Sequence, residues 1–166
     1  MMTAYGRMLL AGAGSAALLL GALGFQFLGG LAPCPMCIWQ RWPHVAAVVI
    51  AALATTVLWR RRRWLAGLGA VVMLVSAGLG TFHAGVEWNW WEGPTTCTAG
   101  DIAQLTADQL MAQILGAPLV RCDEIVWELL GLTMAGWNAL ISLGLAGLWA
   151  ASFVWWRMPF DAAPRD

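Results

Sequence analysis

Four cysteines are the residues of this chain best suited to chemistry, and their spacing is uneven. Cys34 and Cys37 bracket Pro35 and Met36, whereas Cys97 and Cys122 stand far apart in a later segment. A bond between Cys34 and Cys37 closes so small a ring that it removes little chain entropy from the unfolded state, which makes it a poor staple. The same spacing suits thiol–disulfide exchange, because the second thiol can reclose the ring intramolecularly. Four cysteines allow three pairings, and their spacing leaves all three open.

The neighbours of the close pair sharpen its chemistry. Pro35 fits the first position of a helix, so Cys34 is expected to cap that helix and Cys37 to lie in its first turn. There the helix dipole favours a thiolate. Arg41 follows four residues later, on the same face and one turn deeper, and its guanidinium keeps its charge at any relevant pH. Pro43 restricts Trp42 and is expected to kink the helix near Trp39. Other chemistries fit less well. A zinc site drawing on Cys34 and Cys37 with Cys97, Cys122, His44 or His83 lacks the usual second pair of closely spaced ligands. The plain alternatives are two structural disulfides, and an Arg41 that only snorkels to an interface.

The elements that must position these residues are legible from charge and hydropathy. Only 11% of the 166 residues are charged and 60% are apolar, against about 25% charged in ordinary soluble domains. No charged residue occurs in 8–40, 42–59, 64–86 or 129–156. A bilayer-spanning helix needs about 20 predominantly apolar residues, so an all-α, four-helix transmembrane bundle is expected, with spans at about 8–28, 35–59, 64–85 and 132–156. Small residues at helical intervals (Gly12 and Ala16, Ala17 and Gly21, Ser76 and Gly80, Gly136, Gly144 and Gly147) suit close packing where lipid supplies no hydrophobic drive. Trp59, Trp64, Trp155 and Trp156 at one set of span ends, and Trp39, Trp42, Trp88, Trp90 and Trp91 at the other, form the expected aromatic belts.

Net charge is zero, so no argument for a nucleic-acid partner arises from it; the distribution of charge is informative. Arg7, Arg60 to Arg63, Arg157 and Arg165 flank one set of span ends, while Glu87, Glu92, Asp101, Asp108, Asp123, Glu124 and Glu128 cluster between spans three and four. Arginine bias on short loops puts both termini in the cytoplasm. All four cysteines then fall on the far side, where disulfides persist. The Leu31-Ala-Pro-Cys34 stretch is not expected to be cleaved, since Pro33 is a poor residue at a scissile bond and the apolar run exceeds a signal core. The loop over 86–131 is expected to carry a short interfacial helix: Thr106-Ala-Asp-Gln109 fits a capping box, followed by the apolar stripe of Leu110, Met111, Ile114 and Leu115. With no internal repeat, 1–166 reads as a single integral membrane domain.

Pro33-Cys-Pro-Met-Cys-Ile-Trp-Gln-Arg41 resembles the signature of the DsbB family, the quinone-linked membrane oxidoreductases that make disulfides in the bacterial periplasm. Phe82-His-Ala-Gly-Val-Glu-Trp88, Gly93-Pro-Thr-Thr-Cys97, Val120-Arg-Cys-Asp-Glu124 and Gly131-Leu-Thr-Met-Ala-Gly-Trp137 resemble further family stretches in order and spacing. The resemblance implies a membrane enzyme in the bacterial inner membrane whose partner is a DsbA-like periplasmic dithiol protein and whose acceptor is ubiquinone or menaquinone, with no metal, haem or flavin. It implies that Cys97 and Cys122 form a loop disulfide and that Cys97 holds the mixed disulfide with the partner. Cys122 then attacks Cys34, and Cys37 passes electrons to the quinone, with Arg41 near a quinone oxygen. His83 corresponds to a residue near the quinone ring and is also suited to donating a proton, although a histidine at a span end equally serves as a structural hydrogen-bonder. Gln26 is expected to pack in the bundle or reach the quinone, and Glu87 is assigned nothing.

Three other functions compete. A vitamin-K-epoxide-reductase-like enzyme shares the four-helix plan, but its CxxC usually lies near the end of the last core span. A non-catalytic assembly subunit would hold stable structural disulfides. A reductase feeding electrons outward would need thiols on the cytoplasmic side, where this chain has none.

Overall fold

The structure is a computed structural model that describes residues 3–94, 106, 111 and 121–156. Cys97, the apolar stripe expected to form the interfacial helix (Met111 apart), Arg157 and Arg165 lie outside these residues. Four helices are long and apolar enough to cross a membrane: α1 (Ala4–Phe27), α2 (Pro35–Thr55), α3 (Arg62–Glu87) and α4 (Met134–Trp155). The chain is a four-helix membrane bundle.

Local chemistry moves several ends from where hydropathy alone sets them. Helix α1 starts at Ala4 rather than near Met8 because the Thr3 hydroxyl accepts from the Gly6 amide at 3.0 Å, satisfying a donor that a helix start leaves open. Helix α2 stops at Thr55 rather than Trp59. The Thr55 and Thr56 hydroxyls donate to the Ala51 and Ala52 carbonyls, and a 3₁₀ turn over Trp59–Arg61 leads into α3. Pro43 lies buried inside α2, which continues past it.

A small antiparallel hairpin precedes α4. Strands β1 (Glu128–Leu129) and β2 (Leu132–Thr133) pair Glu128 with Thr133 and Leu129 with Leu132. Leu130 and Gly131 turn between them with φ of 55° and 76°, the positive pair that a two-residue hairpin turn demands. The fourth span therefore begins at Met134, two residues later than expected, capped by the Thr133 hydroxyl that accepts from the Gly136 amide at 3.1 Å.

The helices meet through small residues. A Cβ at Gly12 would stand 2.6 Å from the Ala51 Cβ, joining α1 to α2; one at Gly80 would stand 2.9 Å from the Ala139 nitrogen, joining α3 to α4. Gly69 makes room for the ring of Trp149, which is fully buried. The central core comprises Met8, Ala47, Ala54, Ala66, Met73 and Trp149. Gly21, Gly144 and Gly147 have open space where a Cβ would be, so they contribute nothing to helix contact. At the arginine end, Arg7 lies over Trp155 and Arg62 over Trp156, at 5.1 and 5.2 Å. At the cysteine end, Asn89 (φ 57°) turns the chain so that Trp91 stacks on Phe82 and donates to its carbonyl at 2.9 Å.

Candidate functional site

Cys34 caps α2 as the sequence leads one to expect. Its sulfur accepts from the Cys37 amide at 3.1 Å, and Pro35 occupies the first helical position. The two sulfurs stand 2.7 Å apart, with Cys34 donating to Cys37. That hydrogen bond, together with burial, pushes the Cys34 thiol well above its ordinary value, so Cys34 keeps its proton. The Cys37 sulfur accepts that hydrogen bond in the first turn of the helix, where the open amides and the helix dipole favour negative charge.

Cys122, distant in sequence, joins this pair. Cys34, Met36, Val86 and Cys122 form one buried cluster with Cys37 packed against it. Flanking Cys122 within the same segment, Arg121 donates from Nε and Nη2 to the two carboxylate oxygens of Asp123. This pair holds the Asp123 carboxyl below the usual carboxylate range.

His83 reaches the same place from α3. Its Nε2 is 3.6 Å from the Cys34 sulfur, its Nδ1 is 2.6 Å from Nε2 of Gln40, and the ring also hydrogen-bonds to the backbone of Cys122. Arg41 donates from Nη1 to Oε1 of Gln26 at 2.7 Å. Gln26 therefore belongs to the site as the partner that aims the guanidinium.

These groups share a cavity of about 370 Å³. Cys37, Gln40, Arg41, His83 and Glu87 form its polar end, and residues such as Leu18, Ala22, Phe25 and Ile141 form its apolar walls. Cavities that hold small molecules share this plan of apolar walls and few convergent polar groups. A flat ring with polar oxygens and an apolar tail matches it: Arg41 offers N–H donors at one end beside the His83 ring, and the walls accept hydrocarbon. A metal fits less well. The Cys34 and Cys37 sulfurs and His83 Nε2 lie within 4.8 Å of one another, but two thiolates on one zinc ion at about 2.3 Å sit about 3.7 Å apart, wider than the 2.7 Å seen here.

The sequence reading missed Glu87, Gln40 and Asn138. Glu87 is buried at the cavity, beside Thr133 and 4.0 Å from His83 Nε2, and its Oε2 has no partner among the described residues. Gln40 links His83 to Asn138 of α4. The available signal was the rarity of polar side chains inside membrane spans, where they face the bundle interior and pair with one another. Gln40 with His44, and Asn138 with Ser142, each stand four apart and so share a helix face.

The family model described as Disulfide bond formation protein DsbB matches residues 6–152. Among curated relatives, Disulfide bond formation protein B of Methylococcus capsulatus is 34% identical over 149 residues, covering 86% of this chain and 88% of its own length. The protein of that name from Albidiferax ferrireducens is 31% identical over 145 residues, covering 80% and 77%. Its counterpart in Polaromonas sp. is 33% identical over 146 residues, covering 80% and 81%.

Proposed function

Because the chain belongs to the DsbB family of membrane disulfide bond formation proteins, we propose that it reoxidises a DsbA-like periplasmic dithiol protein and passes the electrons to ubiquinone or menaquinone. In this reading it sits in the bacterial inner membrane with both termini cytoplasmic and its cysteines periplasmic. The observation that carries the proposal is the position of the cysteine pair: Cys34 packs against Cys122 on one side, while Cys37 lines the cavity that Arg41 also lines.

The relay conserves electrons at each exchange. A thiolate of the reduced partner attacks Cys97 of a Cys97–Cys122 disulfide, and the bonding pair leaves on Cys122. The Cys122 thiolate attacks the Cys34 sulfur, opening the Cys34–Cys37 bond and leaving a thiolate on Cys37. The partner's second thiol displaces Cys97, so the partner departs as a disulfide, and the freed Cys97 thiolate attacks Cys122, reforming the loop disulfide and leaving the electron pair on Cys34 beside Cys37. Held in the cavity that Cys37, Arg41 and His83 line, a quinone would supply a sink for two electrons and two protons.

The chain's own residues set the conditions for that transfer. Cys37 carries negative charge at the start of α2, where the first amides of a helix have no partner inside it. Arg41, held by Gln26, fixes a cation on the cavity wall, and a preorganised cation stabilises charge developing on an oxygen far better in a dry site than in water. Phe25, tilted against Trp127 with ring centroids 5.4 Å apart, helps close the wall against water.

Purified protein, a reduced DsbA-like partner and ubiquinone absorbance test this directly. Quinone reduction is expected in the wild type and is lost in Cys37→Ser, while Cys97→Ser blocks oxidation of the partner. Four cysteines inert to the partner, with no change in quinone absorbance, would leave a scaffold with structural disulfides.

A further inference from the structure

The proposed electron path leaves a run of polar side chains, all buried except the half-buried Asn138, without a task. Ser142 Oγ donates to Ser76 Oγ at 3.0 Å, and Ser76 Oγ lies 3.2 Å from His44 Nε2. His44 Nε2 is 2.8 Å from Asn138 Oδ1, Asn138 Nδ2 donates to Gln40 Oε1 at 2.7 Å, and Gln40 Nε2 is 2.6 Å from His83 Nδ1. Beyond the far side of that ring, Nε2 lies 3.6 Å from the Cys34 sulfur. Helices α2, α3 and α4 all contribute, and the run ends at the redox pair.

Its direction is set at one point. Gln40 Nε2 also donates to the Met36 carbonyl at 3.3 Å, and a backbone carbonyl can only accept. The amide nitrogen of Gln40 is thereby held on the side that faces His83. A primary amide nitrogen only donates, so His83 Nδ1 must accept and the ring proton must sit on Nε2. In the other direction, Gln40 Oε1 only accepts, so Asn138 presents its nitrogen there and turns Oδ1 toward His44. The His44 proton then lies on Nε2 and its Nδ1 is left as a bare lone pair, in keeping with the absence of a partner for that atom among the described residues.

We infer that Gln40 is a positioning residue that holds His83 as the Nε2–H tautomer, so that a ring N–H rather than a lone pair faces the Cys34 sulfur. The functional consequence rests on the relay proposed above. Whenever a disulfide to Cys34 is opened by attack on its partner sulfur, the bonding electron pair stays on Cys34 as a thiolate. An N–H aimed at that sulfur accommodates the charge, and a lone pair in its place would oppose it. The other groups facing His83 are Glu87 from its own helix, 4.0 Å from Nε2, and the Cys122 backbone, which hydrogen-bonds to the ring; Gln40 is the side chain that meets Nδ1, at 2.6 Å.

The test is a long-range proton–nitrogen NMR spectrum of the full chain in lipid nanodiscs, labelled with ¹⁵N at its two histidines, with His44→Gln assigning the signals. The expected result is a neutral His83 protonated on Nε2 in the wild type. In Gln40→Glu a carboxylate replaces the donor, and the proton is expected on Nδ1. Quinone turnover in that variant is expected to fall by at least roughly tenfold at unchanged KM for the partner, towards the ~10²–10⁴ contributed by a well-placed proton donor. A wild-type His83 protonated on Nδ1, or a mixture of both forms, overturns the inference even if the variant does not fold. Retention of Nε2–H in a folded Gln40→Glu variant also overturns it. Absence of quinone turnover in the wild type would defeat the relay and leave the tautomer to be decided by the spectrum alone.

Discussion

The Arg41 guanidinium donates to Oε1 of Gln26 at 2.7 Å, a bond that ties α2 to α1 at the cavity wall. Arginine is long and loses much rotamer freedom when held in place. A charge-assisted bond to a side chain on a neighbouring helix therefore sets where its remaining N–H groups point.

Arg41→Ala is expected to lower quinone reduction by ~10²–10³, the usual loss when a preorganised donor to a developing oxyanion is removed. Thiol exchange between the partner and the loop cysteines should stay intact. Gln26→Leu leaves the charge but frees its direction, and should cost about tenfold, the lower end of what a hydrogen bond to a charged group contributes. Stopped-flow measurement of the two half-reactions separates these effects. Equal loss of both in Arg41→Ala would make Arg41 structural.

In the reduced protein, a mild alkylating agent at neutral pH should label Cys37 well before Cys34. The thiolate is the nucleophile, and the Cys34 thiol is held above its ordinary value by its bond to Cys37 and by burial; it is also only 3% exposed. Peptide mass spectrometry of samples quenched over time reads the order, and Cys34 labelled first would contradict the described geometry.

Two glycines of α3 should respond oppositely to alanine. At Gly80 the new Cβ would meet the backbone of Ala139 at 2.9 Å and of Ala135 at 3.0 Å, and backbone cannot step aside as a side chain can. Gly80→Ala should therefore destabilise by ~1–3 kcal/mol. At Gly78 nothing lies within 4 Å, and alanine should stabilise the helix by roughly 0.5–1 kcal/mol. Thermal melting of both variants in one detergent gives the comparison; equal effects would mean that α3 and α4 do not meet at Gly80.

The Arg121–Asp123 pair beside Cys122 predicts a dependence on acid. The Asp123 carboxyl is held low by its hydrogen bond to Arg121. Its stabilising effect is therefore fully present above the ordinary aspartate value of about 3.9 and disappears as pH falls through the depressed one. The Arg121 side chain is exposed, so water screens the pair and the effect is small. Asp123→Asn should melt slightly earlier at neutral pH and match the wild type in acid strong enough to lie below the depressed value. A variant whose deficit persists at that pH would show that Asp123 acts by packing rather than by charge.

Sequence alone determined the membrane class, the number of helices and the local geometry of the Cys34–Cys37 pair. Spans follow from uninterrupted apolar windows, because a charge at the bilayer centre is costly wherever it occurs along the helix. The Cys34 cap follows from Pro35, because the geometry of a helix start is settled within four residues. Helix ends were less legible. The Thr3 cap, the turn after Thr55 and the Leu130–Gly131 hairpin each depend on one or two hydrogen bonds or dihedral angles that a hydropathy window averages away.

Tertiary structure decided which side chains meet. Gln26 with Arg41, Cys122 with Cys34, and Gln40 between His83 and Asn138 each join residues from different segments. Such pairs depend on how far each helix is rotated about its axis and how deep it sits. Those quantities are set by where glycines such as Gly12 and Gly80 let two backbones touch, and a single helix read alone carries no information about the rotation of its neighbours.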